Sequence, residues 1–444
     1  MKILSKLKYF LLVLFVVPIF VSAETVAKIG DNEYETLEAA ITAATTDGAE
    51  IVLQTDYTPD NMNKLIEIEE GKNIVINLNN NTYSGRVVNH GTLTIKDGKL
   101  LLNTSGVAFS NYGSLVLSNL AVGDTDRGYG ITNEGPATSL VINSGTYTGA
   151  FSNNGGTMVI NDGTFNEDGQ HNYLLSNSGL LTINGGTFTT TAKAKNMIQN
   201  STYAVGIGGT SSLTALQKTV INGGTFNAYY YALVNSIGGT SSFEMNGGTI
   251  NSDSKEDVIA SFTSVSDNPD NFVEGLSGTV AIYGGTINAP NSGGIFLLGK
   301  NKLILGKNDG TVTKDSPLIN IPKGTVGSGY ANDLLEFYDG TIIQKSEIAG
   351  TSYGAGIAAA DITIPEGYFI KYDKNEDGTL TAYLSNTSAT PADGVSEETP
   401  TSTEENIKNP NTGMFISLVV SSGLLVAMTV SIVVIKKKNK LYKI

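Results

Sequence analysis

The sequence predicts an all-β fold of stacked coils, a solenoid, and three observations predict it. Near-copies of one short unit recur along the 444 residues, their spacing clusters near one period, and a second motif recurs at that period in a different phase. The unit reads LTIKDGKL (93–100), LVINSGTY (140–147), MVINDGTF (158–165), LTINGGTF (181–188), TVINGGTF (219–226), FEMNGGTI (243–250) and VAIYGGTI (280–287). Looser copies, KNDGTV (307–312) and FYDGTI (337–342), follow. The register glycines are Gly98, Gly145, Gly163, Gly186, Gly224, Gly248, Gly285, Gly310 and Gly340, at intervals of 47, 18, 23, 38, 24, 37, 25 and 30, and the 47 contains a degenerate copy, LVLSNL (115–120). A period near 20–25 residues built on strands reads as a solenoid of about twelve coils.

The unit itself explains the stacking. Leu181 and Ile183 alternate with Thr182, so one face of a short strand is apolar. Asn184-Gly185-Gly186 tolerates positive φ and turns the chain, and Thr187-Phe188 starts the next strand with the ring pointing inside. The second motif is Asn-x-Gly, at Asn89-His90-Gly91, Asn111-Tyr112-Gly113, Asn133-Glu134-Gly135, Asn153-Asn154-Gly155 and Asn177-Ser178-Gly179, spaced 22, 22, 20 and 24. Equal spacing places these asparagines one above another, and predicts an amide ladder along the axis.

Residues 1–23 carry Lys2, Lys6 and Lys8, an apolar run and Val21-Ser22-Ala23, the pattern of a signal peptide. Residues 24–60 form an expected N-terminal cap, with a helix over 36–44 that Thr36 caps and that offers Leu37, Ala40, Ile41 and Ala44 on one face. An open solenoid end exposes strand edges and apolar side chains, and a short helix covers both. The coils run over 61–350, and 351–384 is expected to close the far end with a hairpin of Tyr368–Tyr372 and Thr379–Leu384. The turn between them, DKNEDG (373–378), opens like a calcium-binding loop, but Leu384 stands where the twelfth-position Glu is needed, which favours a plain hairpin turn.

The linker 385–408 is rich in Ser, Thr, Pro and Glu and cannot bury a core. The segment 409–444 holds Asn409-Pro410-Asn411-Thr412-Gly413, a largely apolar stretch at 414–435 and the basic tail KKKNKLYKI. That stretch is long enough for one transmembrane helix with its tail inside. Eight of the 28 basic residues flank the two apolar segments, which leaves 20 against 42 acidic residues, a charge of −22. Such a surface disfavours nucleic acid as a partner. With no cysteine, stability rests on the stacked core instead of disulfides.

Pentapeptide, apolar span and basic tail in that order resemble the cell-wall sorting signal of Gram-positive surface proteins. The resemblance implies that a sortase cuts between Thr412 and Gly413, with Asn409, Pro410 and Asn411 completing the recognition sequence, and joins Thr412 to peptidoglycan. The commonest form begins with leucine, whereas this one begins with Asn409, as in NP-x-T variants. The NGGTF-type repeats resemble the right-handed parallel β-helix domains grouped with the pectin-lyase fold. The implied protein is extracellular, anchored to wall or membrane by its C-terminus, and acts as an adhesin or a glycan- or protein-binding stalk.

Enzymes of that fold are lyases, which need calcium-binding carboxylates and a base, or hydrolases, which need clustered aspartates. The chain has two arginines, Arg86 and Arg127, and two histidines, His90 and His171. The best cluster is Asp124, Asp126 and Arg127, which a locally paired polar loop explains equally well. Glu167, Asp168 and His171 share one turn, the acidic loop from Asp253 to Glu274 lacks fixed ligand spacing, and His90 reads as a surface turn residue. Binding is therefore expected over turnover, with no cofactor or metal implied. Candidate ligand-binding residues are Tyr229, Tyr230 and Tyr231, with Thr210 and Thr240 on the repeated IGGTSS loops at 207–212 and 237–242.

Overall fold

The computed structural model describes residues 24–45, 47–59, 65–101, 106–123, 129–167, 173–191, 196–200, 217–229, 231–235, 240–255, 257–262, 277–298, 301–326, 334–345 and 361–386. The signal segment 1–23, the linker beyond 386, the pentapeptide 409–413 and the apolar stretch 414–435 lie outside them. Among the described residues no helix is long and apolar enough to cross a membrane.

The chain is mostly β, with long parallel sheets in a solenoid-like arrangement. One sheet has 26 strands and the other 11. The larger sheet consists of two parallel ladders, which share the long strands Thr92–Leu101 and Ser114–Val122. Each coil therefore contributes to three ladders in turn, as in Ala150–Asn154, Thr157–Ile160 and Thr164–Asn166. The next coil stacks on it in strict register, with Asn153 on Asn177, Ile160 on Ile183 and Phe165 on Phe188. Backbone groups pair up and down the column, so no single coil is stable alone.

Period-two alternation decides what is inside. Along the first ladder Leu115 and Leu117, Leu140 and Ile142, Met158 and Ile160, and Leu181 and Ile183 are all buried. Along the second, Tyr147, Phe165, Phe188 and Phe226 stack with ring centroids 5.2, 4.6 and 4.7 Å apart and planes within 7°. Burial pushes the Tyr147 phenol well above its ordinary range, and its hydroxyl donates to Ser144 O at 3.0 Å.

The predicted amide ladder is present, and it lies inside the column. Nδ2 of Asn89 donates to Oδ1 of Asn111 at 2.8 Å, Asn111 to Asn133 at 2.7 Å, Asn133 to Asn153 at 2.8 Å and Asn153 to Asn177 at 2.8 Å. All five side chains are fully buried. Each amide also donates to a backbone carbonyl of the following coil, such as Thr157 O from Asn133 at 3.1 Å, so these five buried amides are satisfied.

A second amide ladder runs outside, at the Asn-Gly-Gly corner. Asn161 donates to Asn143, Asn184 to Asn161 and Asn222 to Asn184 at 2.9 Å, and Asn246 to Asn222 at 3.0 Å. Only the second glycine of each unit takes positive φ, at +101° for Gly186, +100° for Gly224 and +92° for Gly248. The asparagine instead caps the corner, a role its turn propensity alone does not reveal.

Gly310 is not a register glycine. Thr286 pairs with Leu318 and Leu318 with Thr341, so Pro317 sits between Gly285 and Gly340. The buried Asp339 carboxylate causes the offset, accepting from Thr313 N at 2.9 Å, Thr313 Oγ1 at 2.8 Å, Lys314 N at 2.7 Å and Gly340 N at 2.8 Å. These bonds hold the preceding DG turn out of the stack. The two glycines should therefore respond differently to alanine. At Gly186 a Cβ would lie 2.9 Å from Gly163 O at φ +101°, whereas at Gly310 it meets open space at φ +82°. Gly186→Ala is expected to cost about 3 kcal/mol and Gly310→Ala about 1 kcal/mol. Equal shifts in the urea midpoints of the two variants would contradict this register.

Both ends of the column are antiparallel. At the start, Ala27–Ile29 pairs with Asn32–Tyr34 and with Ala49–Leu53. The helix Leu37–Ala43 packs Leu37, Ala40 and Ile41 onto these strands, with Thr36 Oγ1 accepting from Ala39 N at 3.1 Å. At the other end, Phe369–Lys374 and Leu380–Ser385 form a hairpin that pairs with Thr341–Gln344. Its turn carboxylates are engaged internally, Asp377 by Thr379 N and Oγ1 and Asp373 by Tyr383. That pairing makes DKNEDG a hairpin turn.

Candidate functional site: a groove at the Asn-x-Gly corner

The middle residues of the Asn-x-Gly turns stack outside, for the reason that the asparagines stack inside. Tyr112 N donates to Asn89 O, and Ser178 N to Asn153 O, both at 2.7 Å. His90 and Tyr112, one coil apart, lie face to face with centroids 5.0 Å apart and planes 10° apart. Tyr112 is 48% exposed, the most exposed large hydrophobic side chain among the described residues. Further along this column Glu134 accepts from Asn154 Nδ2 through both oxygens at 3.0 Å.

Beside the ring pair is a groove of about 430 Å³. Its floor is Gly91 and Gly113, whose coils approach so closely that a Cβ on Gly113 would fall 2.1 Å from Gly91 O. One side carries His90, with Thr92, Ser114 and Ala137 along the floor. Asp47 and Lys72 form the rim toward the N-terminal end, and Asn73 stacks in register with Thr92 and Ser114. Lys72 Nζ is held by Ile41 O at 3.2 Å and lies 3.8 Å from Glu69, which ties that rim to the C-terminal end of the helix. Glu67 is 3.8 Å from His90 Nε2. Among the described residues the Asn73 amide, the Thr92 and Ser114 hydroxyls and the Asp47 carboxylate have no protein partner.

The groove thus sets the His90 ring, backed by Tyr112, beside free donors and acceptors. Such a lining can pack against an apolar face and hydrogen-bond to hydroxyls.

The other candidates are scattered. Tyr229 is 46% exposed, and its N donates to Thr190 Oγ1 at 3.0 Å. Tyr231 is half-buried at the start of Tyr231–Asn235, and Thr240 opens Thr240–Met245, paired with Ser277. Tyr230, Thr210, Asp124, Asp126, Arg127, Asp168, His171 and the pentapeptide Asn409, Pro410, Asn411, Thr412 and Gly413 lie outside the described residues. Glu167 accepts a hydrogen bond from Thr191 Oγ1. No group of three metal-ligating side chains occurs among the described residues.

Sequence reasoning placed His90 on the surface but did not pair it with Tyr112. The signal was there, since the interval that stacks Asn89 on Asn111 also stacks the residues that follow them. Compared with protein-family models, with curated proteins and with solved structures, the chain gives no match.

Proposed function

We propose that this chain is a surface-displayed glycan-binding adhesin of a Gram-positive bacterium, whose solenoid is a right-handed parallel β-helix of the pectin-lyase type. The observation that carries the reading is the groove beside the stacked pair of His90 and Tyr112, which offers an aromatic ring next to free hydrogen-bonding groups. Secretion by the segment 1–23 and C-terminal anchoring through Asn409-Pro410-Asn411-Thr412-Gly413 and the apolar stretch 414–435 follow from the sequence pattern. Sortase and peptidoglycan are the partners that this anchoring requires.

Two measurements test the reading. Expressed in a Gram-positive host, the full chain is expected to leave the cell only on muralytic digestion, whereas Thr412→Ala is expected to stay detergent-extractable. Identical fractionation of the two would remove the sortase step. A glycan array probed with purified full-length protein should show binding, and reducing-end and unsaturated-product assays on the bound glycans should show no product. Product release would make the chain an enzyme.

A further inference from the structure

We infer that the corner groove selects its glycan by charge, and holds a hexopyranose unit that is neutral or carries a free amine while rejecting uronic acids. The inference rests on the glycan-binding reading above and adds the ligand class. It starts from the ring pair. A pyranose has one face of C–H bonds, weakly apolar, and a rim of hydroxyls. The C–H face packs on an aromatic wall, and the rim needs donors and acceptors within reach. His90 supplies the wall, and Tyr112, stacked on its ring, holds it in place, so little side-chain entropy is lost on binding. Asn73, Thr92 and Ser114 supply both donors and acceptors for the rim.

The charges around the groove discriminate. Asp47 lies in its lining, and Glu67 and Glu69 stand in the coil below His90. The one lysine of the lining, Lys72, already has its ammonium against Ile41 O and Glu69. The groove therefore presents carboxylate without a spare cation, on a chain of net charge −14. A uronate brought here meets repulsion and finds no lysine or arginine free to pair with it, whereas a protonated amino sugar finds Asp47. Selection by repulsion of the wrong ligand is what such an arrangement yields.

The test is calorimetry of the full-length protein with chitosan, cello- and galacturonan oligosaccharides of equal length. The amino or neutral oligosaccharide is expected to bind, and the galacturonan to bind at least tenfold more weakly, a difference of about 1.4 kcal/mol. Tyr112→Ala is expected to weaken binding about tenfold. Tyr112→Phe, which keeps the stack, and Tyr229→Ala, which lies outside the groove, should bind like the parent. Because Tyr112 is half exposed, the variants should unfold at the parent's denaturant midpoint. Preferential binding of galacturonan, or binding undiminished in Tyr112→Ala, overturns this inference and leaves glycan binding standing. No binding to any glycan, on the array or in solution, overturns the glycan-binding reading and this inference with it.

Discussion

Asn133→Ala is expected to destabilise the central coils by about 4 kcal/mol, more than most single substitutions. The side chain is fully buried in mid-ladder, accepts from Asn111 at 2.7 Å, and donates to Asn153 Oδ1 at 2.8 Å and Thr157 O at 3.1 Å. Alanine leaves a donor on Asn111 short of one acceptor, and leaves Asn153 Oδ1 and Thr157 O without that donor. Each buried group left so costs roughly 1–3 kcal/mol. The outer ladder provides the internal control. Asn161 makes the same amide contacts at 2.9 Å to Asn143 and from Asn184, but in water's reach. Asn161→Ala should cost less than about 1 kcal/mol, since water replaces what is lost. Hydrogen exchange of the amides in 129–166 separates the cases, with protection collapsing in the first variant and surviving in the second. Equal protection would mean that burial does not set the ladder's worth.

Phe188→Ala should be as damaging for a different reason. Its ring is fully buried between Phe165 at 4.6 Å and Phe226 at 4.7 Å, and strict register prevents neighbours from closing the gap without breaking strand pairing on both sides. A loss of about 4 kcal/mol is expected, at the upper end for a core phenylalanine. Phe188→Leu should recover most of it, because volume matters here more than aromaticity. The denaturant midpoints of both variants check this. A leucine variant as unstable as the alanine one would show that ring stacking, not filled volume, holds the column.

Most of the architecture was legible because a solenoid repeats one solution. Leu181, Ile183, Gly186 and Phe188 each occupy a position that neighbouring coils occupy with the same chemistry, so periodicity alone orders them inside and outside. Legibility failed where one local pattern serves two purposes. Asp309-Gly310 is as good a turn as those in register, and nothing near it in sequence reveals that Asp339 pins the loop outward. Asn184 was legible as a turn residue but not as a link in a ladder, because turn propensity accounts for it fully. Half of the groove was within reach, since the spacing of Asn89 and Asn111 stacks His90 on Tyr112. The N-terminal rim was not. Asp47 and Lys72 precede the first Asn-x-Gly turn, so that motif does not mark them, although Lys72 stacks in register with Gly91.

The two amide ladders also carry direction. In the core each Nδ2 points toward the C-terminal end of the column, from Asn89 through to Asn177. At the outer corner each Nδ2 points toward the N-terminal end, from Asn246 back to Asn143. Each ladder is a head-to-tail chain of dipoles whose members polarise one another. Run in parallel, they would add into a polarity along the column like that of a long helix. Because they run opposite ways, their axial fields oppose each other in the coils that carry both, from Asn133 to Asn184.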